Sequence, residues 1–530
     1  MDQHEVLNHL GKIGAARRGQ ISEQWYESAG RDGKPHRTGP YYVWQRFLEG
    51  EKVSARIPRE EAPRALAELA RGREAEALIS QFWQNAEALA ESEKKNGWTE
   101  ALRAVGSELR QAAALIETKI GAGEVDLIWV EASLKSAALR EAAKLLGAFY
   151  SRVAPQALGL DGQTGGRGDR TRDVLSTVGP IAFTRSYVLD RNGKRSFPLD
   201  DALGLIGGCT PAAAGLICWA GAQEHSYDQA GESLSRLAGL TVPGRRVQRM
   251  TNLCADLEAA WAMAREKEAC TGGILNIQAD MTGIPMRKED LVGVHGKNGE
   301  PKKRQVKGGI VFRQEANKDG EMQRIPSSTT RVVSFDDVSL FSQTLLNEAV
   351  KRGYHEALTV VFTADGAEWI WIMVEDRFKG AVQIVDFYHA AEHLGELCRL
   401  AEPDKQKADA LFTIRRRLMR SYGAACVIRY FENLPSDHPK KTEIEGALGY
   451  FRKNLKRMDY GAFRKRGYCI GSGAMEGTCK SLVNQRTDLA GQRWHPSGSL
   501  NVLRIRGLIA DNLHDPYWKQ RACIRSFKAA

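Results

Sequence analysis

The spacing of apolar and polar residues divides the chain into segments with different predicted structure. Apolar and polar residues alternate from Tyr41 to Phe47 and from Val53 to Ile57, with Glu49 and Gly50 between them, which predicts a β-hairpin. From residue 60 to about 155, Ala, Glu and Leu recur at helical intervals and predict packed helices. Residues 159–172, GLDGQTGGRGDRTR, combine glycine with charge and predict a linker.

Residues 173–265 are predicted to contain a strand pair and three helices. VLSTVGPIAFTRSYVLD and PLDDALGL are the strand-like runs, and helices start near Thr210, Ser226 and Pro243. A helix, a turn containing glycine and a second helix match a DNA-binding helix-turn-helix, whose basic residues are Arg245, Arg246 and Arg249. A plain three-helix bundle without DNA contacts fits the same pattern.

From residue 273 the pattern changes to three strands followed by alternating helices and strands. The strands are ILNIQADMTGIP, GGIVFRQE, TTRVVSF, ALTVVFTAD and VQIVDF, and the helices are SLFSQTLLNEAVKRG, AEWIWIMVEDRF and YHAAEHLGELCRL. This is the order of the ribonuclease-H-like fold, in which the first and fourth strands are neighbours. We therefore expect an α+β multidomain protein with a mixed sheet.

Charge is concentrated in a helical segment that interrupts this pattern. The chain has 76 Lys and Arg against 65 Asp and Glu, a net charge of +11, and Ala401–Ile470 contributes 16 against 8, or +8. The interpretations are a solvated helix face or a surface that contacts phosphates. The clusters that suggest a DNA contact are Arg415, Arg416, Arg417, Arg452, Lys453, Lys456 and Arg457.

These patterns suggest five regions. They are a small basic unit (1–60), a helical region (61–158), the strand pair with its helices (173–265), a catalytic domain (271–400 and 466–515) and a basic helical insertion (401–465).

The nine cysteines include no CxxC pair, so neither a zinc ribbon nor a disulfide framework is expected. The N-terminus lacks the apolar core of a signal peptide, and no stretch is apolar enough to span a membrane. We expect a soluble cytoplasmic protein, associated with the nucleoid.

Three carboxylates are candidates for metal-dependent phosphodiester chemistry. Asp280 lies within an apolar strand, and Asp365 ends the fourth strand immediately before Gly366. Mg²⁺ prefers oxygen ligands, and strand ends hold such ligands rigidly. Glu476 opens a helix after the glycine turn GSG and is the candidate third ligand. Taken singly, a helix cap for Asp365 and a first-turn Glu for Glu476 are the alternatives.

Four blocks carry a family resemblance. QADMTGIP, TADGAEWIW, VDFYHAAEHL and GSGAMEGTCKSLVNQRTDLAGQRW resemble the blocks of bacterial insertion-sequence transposases of the ISKra group, and more loosely those of Mutator-like and hAT-like elements. With the upstream block TVGPIAFTRSYVLDRNGKRSFPLDDALGL, the resemblance spans roughly residues 170 to 510.

The resemblance implies a DDE transposase that uses two Mg²⁺ ions, with Mn²⁺ as a substitute. Its catalytic Asp-Asp-Glu would be Asp280, Asp365 and Glu476, spaced by 85 and 111 residues because a helical insertion that grips DNA precedes the Glu. The reaction would be hydrolysis at the transposon end, followed by attack of the released 3′-OH on target DNA. The partners would be double-stranded DNA and a second copy of the chain.

Further residues match the family in part. Asp386 and His389 match an acidic-x-x-His element, so His389 would contact a scissile phosphate or stabilise the metal site. Arg493 and Trp494 would hold a flipped or unpaired base. Asp488 departs from the pattern, since a basic residue is expected there, and this puts one phosphate contact in doubt.

Two other functions remain open from the sequence. His389, Glu392 and His393 spell HxxEH, the signature of inverted zinc metallopeptidases. A domesticated DNA-binding protein that has lost turnover is the other alternative.

Overall fold

The structure is a computed structural model that describes most of the chain. The described residues are 3–29, 35–48, 51–95, 101–124, 126–158, 160, 168–189, 195–266, 269–294 and 302–522. They belong to two compact units, Met1–Ser107 and Glu108–Ala530. The predicted turn at Glu49 and Gly50 and residues 161–167 of the predicted linker lie outside the described residues.

The first unit consists of a three-stranded antiparallel sheet and two helices. Its elements are α1 (Gln3–Leu10), β1 (Gln20–Ala29), β2 (Pro35–Leu48), β3 (Glu51–Ile57) and α2 (Ala62–Lys95). Strands β2 and β3 form the predicted hairpin, whereas β1 was not expected. Arg17, which precedes β1, is joined to Glu68 of α2 by an ion pair of 2.6 Å.

The second unit begins with helices packed on a β-hairpin. Its first elements are α3 (Ser107–Gly121), α4 (Leu127–Ala148), a π-helical turn (Phe149–Val153), α5 (Ala154–Ala157), β4 (Asp169–Ser176), β5 (Gly179–Ser186), β6 (Val188–Leu189), β7 (Arg195–Ser196) and α6 (Pro198–Ala202). Strand β4 starts inside the predicted linker. PLDDALGL was wrongly predicted as a strand: its proline and acidic first turn favour the start of helix α6.

Three helices follow at the predicted positions. They are α7 (Pro211–Gln223), α8 (Tyr227–Ala238) and α9 (Gly244–Ala264), preceded by Thr210, Ser226 and Pro243 as N-caps. The hydroxyls of Thr210 and Ser226 accept hydrogen bonds from backbone N–H groups of the first turn. Apolar residues of all three helices share a core with Ile505, Tyr517 and Trp518 near the C-terminus.

A mixed six-stranded sheet lies at the centre of the second unit. Its strands are β8 (Ile274–Pro285), β9 (Lys303–Ala316), β10 (Met322–Arg324), β11 (Thr330–Ser334), β12 (Thr359–Ala364) and β13 (Val382–Val385). The order is β10-β9-β8-β12-β13, with β11 also paired to β9. β8 runs antiparallel to β9 and parallel to β12, so the predicted adjacency of the first and fourth strands is confirmed.

The helices around this sheet include those of the basic segment. They are α10 (Val338–Lys351), α11 (Glu368–Arg377), α12 (Phe387–Ala401), α13 (Lys405–Tyr422), α14 (Ala425–Glu432), α15 (Lys441–Lys453) and α16 (Tyr460–Lys465). Met419, Val427 and Phe451 of the basic segment are buried in the same hydrophobic core as the strands of the sheet. The basic segment is therefore packed into the core around the six-stranded sheet.

The chain then returns to the sheet. The last elements are α17 (Gly473–Thr478), a π-helical turn (Cys479–Asn484), α18 (Gln485–Thr487), α19 (Pro496–Ala510) and α20 (His514–Ala522). Leu482 and Val483 of the π turn and Val502 of α19 pack against Ile284 at the end of β8. This packing brings the segment that contains Glu476 to the edge of the sheet where Asp280 lies.

Candidate active site

Asp280 and Asp365 occupy matching positions on two parallel strands. Gln278 of β8 pairs with Thr363 of β12, so two further steps of the same register bring Asp280 opposite Asp365. Asp280 Oδ1 accepts a hydrogen bond from the Met281 N–H at 2.7 Å. Asp365 Oδ1 accepts one from the Ala367 N–H at 2.9 Å, which also organises the start of α11.

The electrostatic environment of Asp280 is that of a carboxylate next to other carboxylates. Burial is the main cause that raises its pKa above the usual aspartate value, and the charges of Asp365 and Glu476 raise it further. The Met281 N–H and His389 act in the opposite direction. The charges of Asp365, Glu476 and His389 therefore act on the Asp280 carboxyl.

Glu476 lies in the first turn of α17 and is more accessible than the two aspartates. Its side chain is 49% exposed, with Lys480 Nζ 3.9 Å from its Oε2. A glutamate in the first turn is favoured by the helix dipole, so sequence alone does not distinguish a ligand from a structural residue. The position of the helix is more informative than the sequence, because two buried side chains hold the turn before Glu476 in place.

Gln278 is the first of these side chains and was missed by the sequence analysis. It is fully buried on β8, two residues before Asp280. Its Nε2 donates to the Gly471 carbonyl at 3.0 Å, and its Oε1 accepts from the Met475 N–H at 3.1 Å. One amide thus joins β8 to the glycine turn and to the residue before Glu476. A polar residue inside an apolar strand was the available signal.

Asp386 is the second buried side chain that holds the helix of Glu476 in place. It follows β13 and is 1% exposed; its carboxylate accepts hydrogen bonds from the N–H of His389, at 2.7 Å, and from the N–H of Ser472. The Phe387 N–H donates to the Ile470 carbonyl at 2.9 Å. Asp386 therefore also holds the glycine turn, and it caps the helix that contains His389.

Cys479 lies one helical turn beyond Glu476, next to Asp280. Its Sγ is 3.9 Å from Asp280 Oδ2. Burial and the neighbouring Asp280 raise the pKa of the thiol to about 12, so it remains protonated at neutral pH.

Tyr450 of the basic segment closes over the turn after Asp365. A Cβ added at Gly366 would lie 2.3 Å from Tyr450 Cε2, so the ring needs a glycine there. The other neighbour of the ring is His393, with centroids 4.0 Å apart. The Tyr450 hydroxyl is buried and has no hydrogen-bond partner among the described residues. Burial, and then the charge of Asp365, raise its pKa, so it remains a donor.

The HxxEH alternative is not supported by this geometry. The His389 and His393 rings are 5.6 Å apart in an edge-on arrangement, and His389 Nδ1 faces Glu392 at 3.6 Å. No group of three or more His, Cys, Asp or Glu side chains within the described ranges is placed so that it could hold a metal ion, and this includes Asp280, Asp365 and Glu476. A zinc peptidase needs three protein ligands, so this reading finds no site here.

The predicted DNA-binding residues fall into two groups. Several are exposed: Arg245, Arg249, Arg416, Arg417, Lys456 and Arg493. The remainder are engaged within the protein. Arg452 bridges Glu432 and Glu445, Lys453 pairs with Glu368 at 3.0 Å, and Arg457 pairs with Glu375 at 2.5 Å.

Three of the engaged residues require a correction. Arg246 donates to the Gly208 carbonyl at 3.2 Å, and the Arg415 guanidinium lies 3.4 Å from the centroid of the Tyr430 ring. Trp494 is only 9% exposed, and its Nε1 donates to the Thr487 carbonyl at 3.1 Å. A side chain in the core is not available to stack on a base, so the role predicted for Trp494 is wrong.

Two buried arginines near Trp494 were missed by the sequence analysis. Arg486 donates to the His225 carbonyl at 3.0 Å, and Arg506 donates to the Ala222 carbonyl at 2.8 Å. Burial lowers the pKa of both, to about 10 for Arg506. Ala222 lies at the C-terminal end of α7, where the helix dipole favours a cation. These hydrogen bonds connect α7 and the residues after it to the segment that contains Glu476.

Asp488, the departure from the family pattern, has a structural partner. Its Oδ2 is 2.7 Å from Lys303 Nζ at the start of β9. The carboxylate therefore stabilises the base of the β8–β9 hairpin.

Comparison with known proteins gives little guidance. The chain matches no protein-family model and no curated protein. Among solved structures it resembles the Drosophila P element transposase strand transfer complex, with 9% identity and a TM-score of 0.21, over 63% of this chain and 84% of that one. A likeness this weak carries no argument. The described residues include no helix long and apolar enough to cross a membrane.

Proposed function

We propose that this chain is a DNA transposase of the DDE type, similar to the ISKra group, with a ribonuclease-H-like core interrupted by a helical insertion. One observation carries the proposal. The parallel pairing of β8 with β12 ends at Gln278 and Thr363, Asp280 and Asp365 each follow two residues later, and the helix of Glu476 is hydrogen-bonded to β8 through Gln278. The strand order supports the proposal as well. The strands predicted as third, second, first, fourth and fifth are β11, β9, β8, β12 and β13, and they are neighbours in that order.

The donor set fits Mg²⁺. Hard divalent cations bind carboxylate oxygens, and Mg²⁺ usually keeps several waters and takes one or two carboxylates together with substrate phosphates. A closed protein cage is therefore not required. Asp280, Asp365 and Glu476 would hold two Mg²⁺ ions, with Mn²⁺ as a substitute. When bound, the ions would supply Lewis acidity at the scissile phosphate and at the attacking oxygen.

The residues of the chain would position the reacting groups. Gln278 and Asp386 would keep Glu476 aligned with the strand carboxylates. His389 would face the scissile phosphate from the start of α12. Arg245, Arg249, Arg417, Lys456 and Arg493 would contact the backbone of double-stranded DNA, because they remain exposed. Two transposon ends must be held together for strand transfer, so we also propose at least a homodimer.

The test uses DNA that carries the sequences flanking the coding locus of the chain. Purified protein is incubated with this DNA in Mg²⁺ or in EDTA, with wild type and Glu476→Gln compared. Metal-dependent cleavage at the ends that is lost in Glu476→Gln supports the proposal. Cleavage that survives the substitution moves the third ligand elsewhere. DNA binding without cleavage under any condition favours the domesticated alternative.

A further inference from the structure

The sheet of the first unit has two faces of opposite character. Paired residues on neighbouring strands share a face, so the register assigns each side chain. Ile21, Trp44 and Ala55 define one face, which we call the covered face. Ser22, Val43 and Arg56 define the other, which we call the open face.

The covered face packs toward the helical part of the unit around Trp44 and Ile57, whereas Val53 and Ala55 on the same face are exposed. Ile57, on this face, is only 8% exposed. Trp44 Nε1 donates to the Arg18 carbonyl at 2.8 Å, and the Arg17 guanidinium lies 5.2 Å from the Trp44 ring. Arg17 in turn pairs with Glu68 of α2. The three carboxylates of the sheet, Glu23, Glu27 and Glu51, also belong to this face by strand alternation.

The open face contains no acidic residue in any of its described strand positions. From β1 to β3 it consists of Gln20, Ser22, Gln24, Tyr26, Ser28, His36, Thr38, Tyr41, Val43, Gln45, Phe47, Lys52, Ser54 and Arg56. Segregating every carboxylate to the opposite side gives this face a positive potential.

Two of its aromatic side chains are exposed, Tyr41 is half-buried, and cations lie next to the rings. Phe47 is 75% exposed and Tyr26 is 50% exposed, far more than rings in a protein core. Phe47 pairs across the strands with Lys52, and the Arg56 guanidinium lies 4.6 Å from the Tyr41 centroid. The Tyr26 and Tyr41 rings are 5.5 Å apart. Exposed rings interleaved with cations and amides on an open sheet are the arrangement that stacks unpaired bases.

We propose that the open face binds single-stranded nucleic acid, with Tyr41 and Phe47 stacking on bases and Lys52 and Arg56 contacting phosphates. Rings on a flat sheet reach base faces only where the bases are unstacked, whereas a duplex presents mainly phosphates and groove edges. Two cations provide little affinity for duplex phosphates alone. This activity is separate from the proposed strand cleavage and does not depend on it.

The experiment measures fluorescence anisotropy of labelled oligonucleotides with the full chain in EDTA, which suppresses metal-dependent cleavage. Single-stranded DNA, single-stranded RNA of the same sequence and the duplex are compared. Tyr41→Ala/Phe47→Ala is matched with Trp25→Ala/Trp83→Ala, which removes two rings that are 42% and 60% exposed outside the open face. Circular dichroism checks that each variant is folded.

Tyr41→Ala/Phe47→Ala should bind single strands at least about 30-fold more weakly, because two stacked bases at about 1 kcal/mol or more each are lost. Duplex binding and the matched control should be unchanged. In Lys52→Gln/Arg56→Gln the salt-dependence slope should fall by about 1.4, because each single-strand phosphate contact contributes about 0.7. Phe47→Tyr should retain binding. The DNA and RNA measurements identify which polynucleotide is preferred.

Cross-linking gives an independent readout. A single strand containing 5-iodouridine or 5-iododeoxyuridine, cross-linked to the full chain, should label peptides from residues 35–59. Labels confined to other segments, or equal affinity of Tyr41→Ala/Phe47→Ala and wild type, would overturn the proposal. So would self-association that Phe47→Ala abolishes while single-strand binding persists, because the face would then be a protein interface.

Discussion

Asp280 lies on β8 and Asp365 directly follows β12, the strand parallel to it, whereas Glu476 lies in the first turn of a six-residue helix that continues into a π-helical turn. The strand carboxylates are half-buried, and backbone N–H groups bond directly to them. Glu476 is half exposed, and its position depends on Gln278 and Asp386, which bond to the turn before it.

The difference separates a rigid half of the candidate site from an adjustable half. Strand geometry fixes the first through the ladder hydrogen bonds of the sheet. The half that contains Glu476 is held by the side chains of Gln278 and Asp386. It continues into a π-helical turn, and such turns frequently occur at functional sites. Disturbing the strand half should therefore remove function, and disturbing the frame of the helix half should reduce it.

The largest effect is expected in the strand half. Asp280→Asn or Asp365→Asn should lower end cleavage and strand joining by about a thousandfold or more, because a metal ligand is lost where charge develops. DNA binding should be retained. Gel assays of cleavage, joining and binding on the same preparations check this. Joining at the wild-type rate by either variant would remove that residue from the site.

A smaller effect is expected from changing Gln278, which holds the helix of Glu476 in place. Gln278→Leu should lower the cleavage rate about 10–100-fold, as for groups that orient metal ligands, and should raise the Mg²⁺ concentration needed for half-maximal rate. Asn276→Leu, a buried amide on the same strand that bonds Gln314 at 2.8 Å, is the matched control for burial. If both variants lose only stability and keep the wild-type Mg²⁺ requirement, Gln278 is structural.

A structural role could be predicted from the sequence where it depends on neighbouring residues in the chain, and not where it depends on tertiary contacts. The strands, the helix starts at Thr210, Ser226 and Pro243, and the aspartates at strand ends were predictable, since periodicity and caps are local. Gln278 and Asp386 act on a turn almost two hundred and about ninety residues away, respectively, so their partners depend on tertiary contacts. The burial of Trp494 and the ion pair of Arg457 with Glu375 were missed for the same reason: a charged or aromatic residue in a motif gives no sign of its exposure or its partners.

The contact between the basic segment and the rigid half predicts a change in stability. Gly366→Ala should destabilise the protein by about 1–3 kcal/mol, because its new methyl group would clash with the Tyr450 ring. In Gly366→Ala/Tyr450→Ala the clash is removed, so the double variant should be more stable than the two separate losses add up to. Denaturant unfolding of the four proteins measures this coupling. Additive losses would mean that the ring does not close over Asp365.

The smallest effect concerns pH. Burial raises the pKa of Asp280 in the folded state, so its ionisation costs stability above that raised pKa and costs nothing below the ordinary value. Asp280→Asn should therefore have a higher Tm than wild type near about pH 7.5, and the difference should vanish near about pH 3. Thermal scans at both pH values test this. A lower Tm of the variant at about pH 7.5 would contradict the raised pKa.

Metal-specific rescue tests the central claim, that these carboxylates bind the catalytic ions, most directly. Asp365→Cys is the suitable variant, because a cysteine at position 280 would lie beside Cys479. Thiolates favour softer cations than Mg²⁺. The account predicts that Asp365→Cys cleaves transposon-end DNA in Mn²⁺ and not in Mg²⁺, whereas Asp365→Ala is inactive in both. Equal activity of Asp365→Cys in the two metals, or equal activity of Asp365→Ala and wild type, would contradict it.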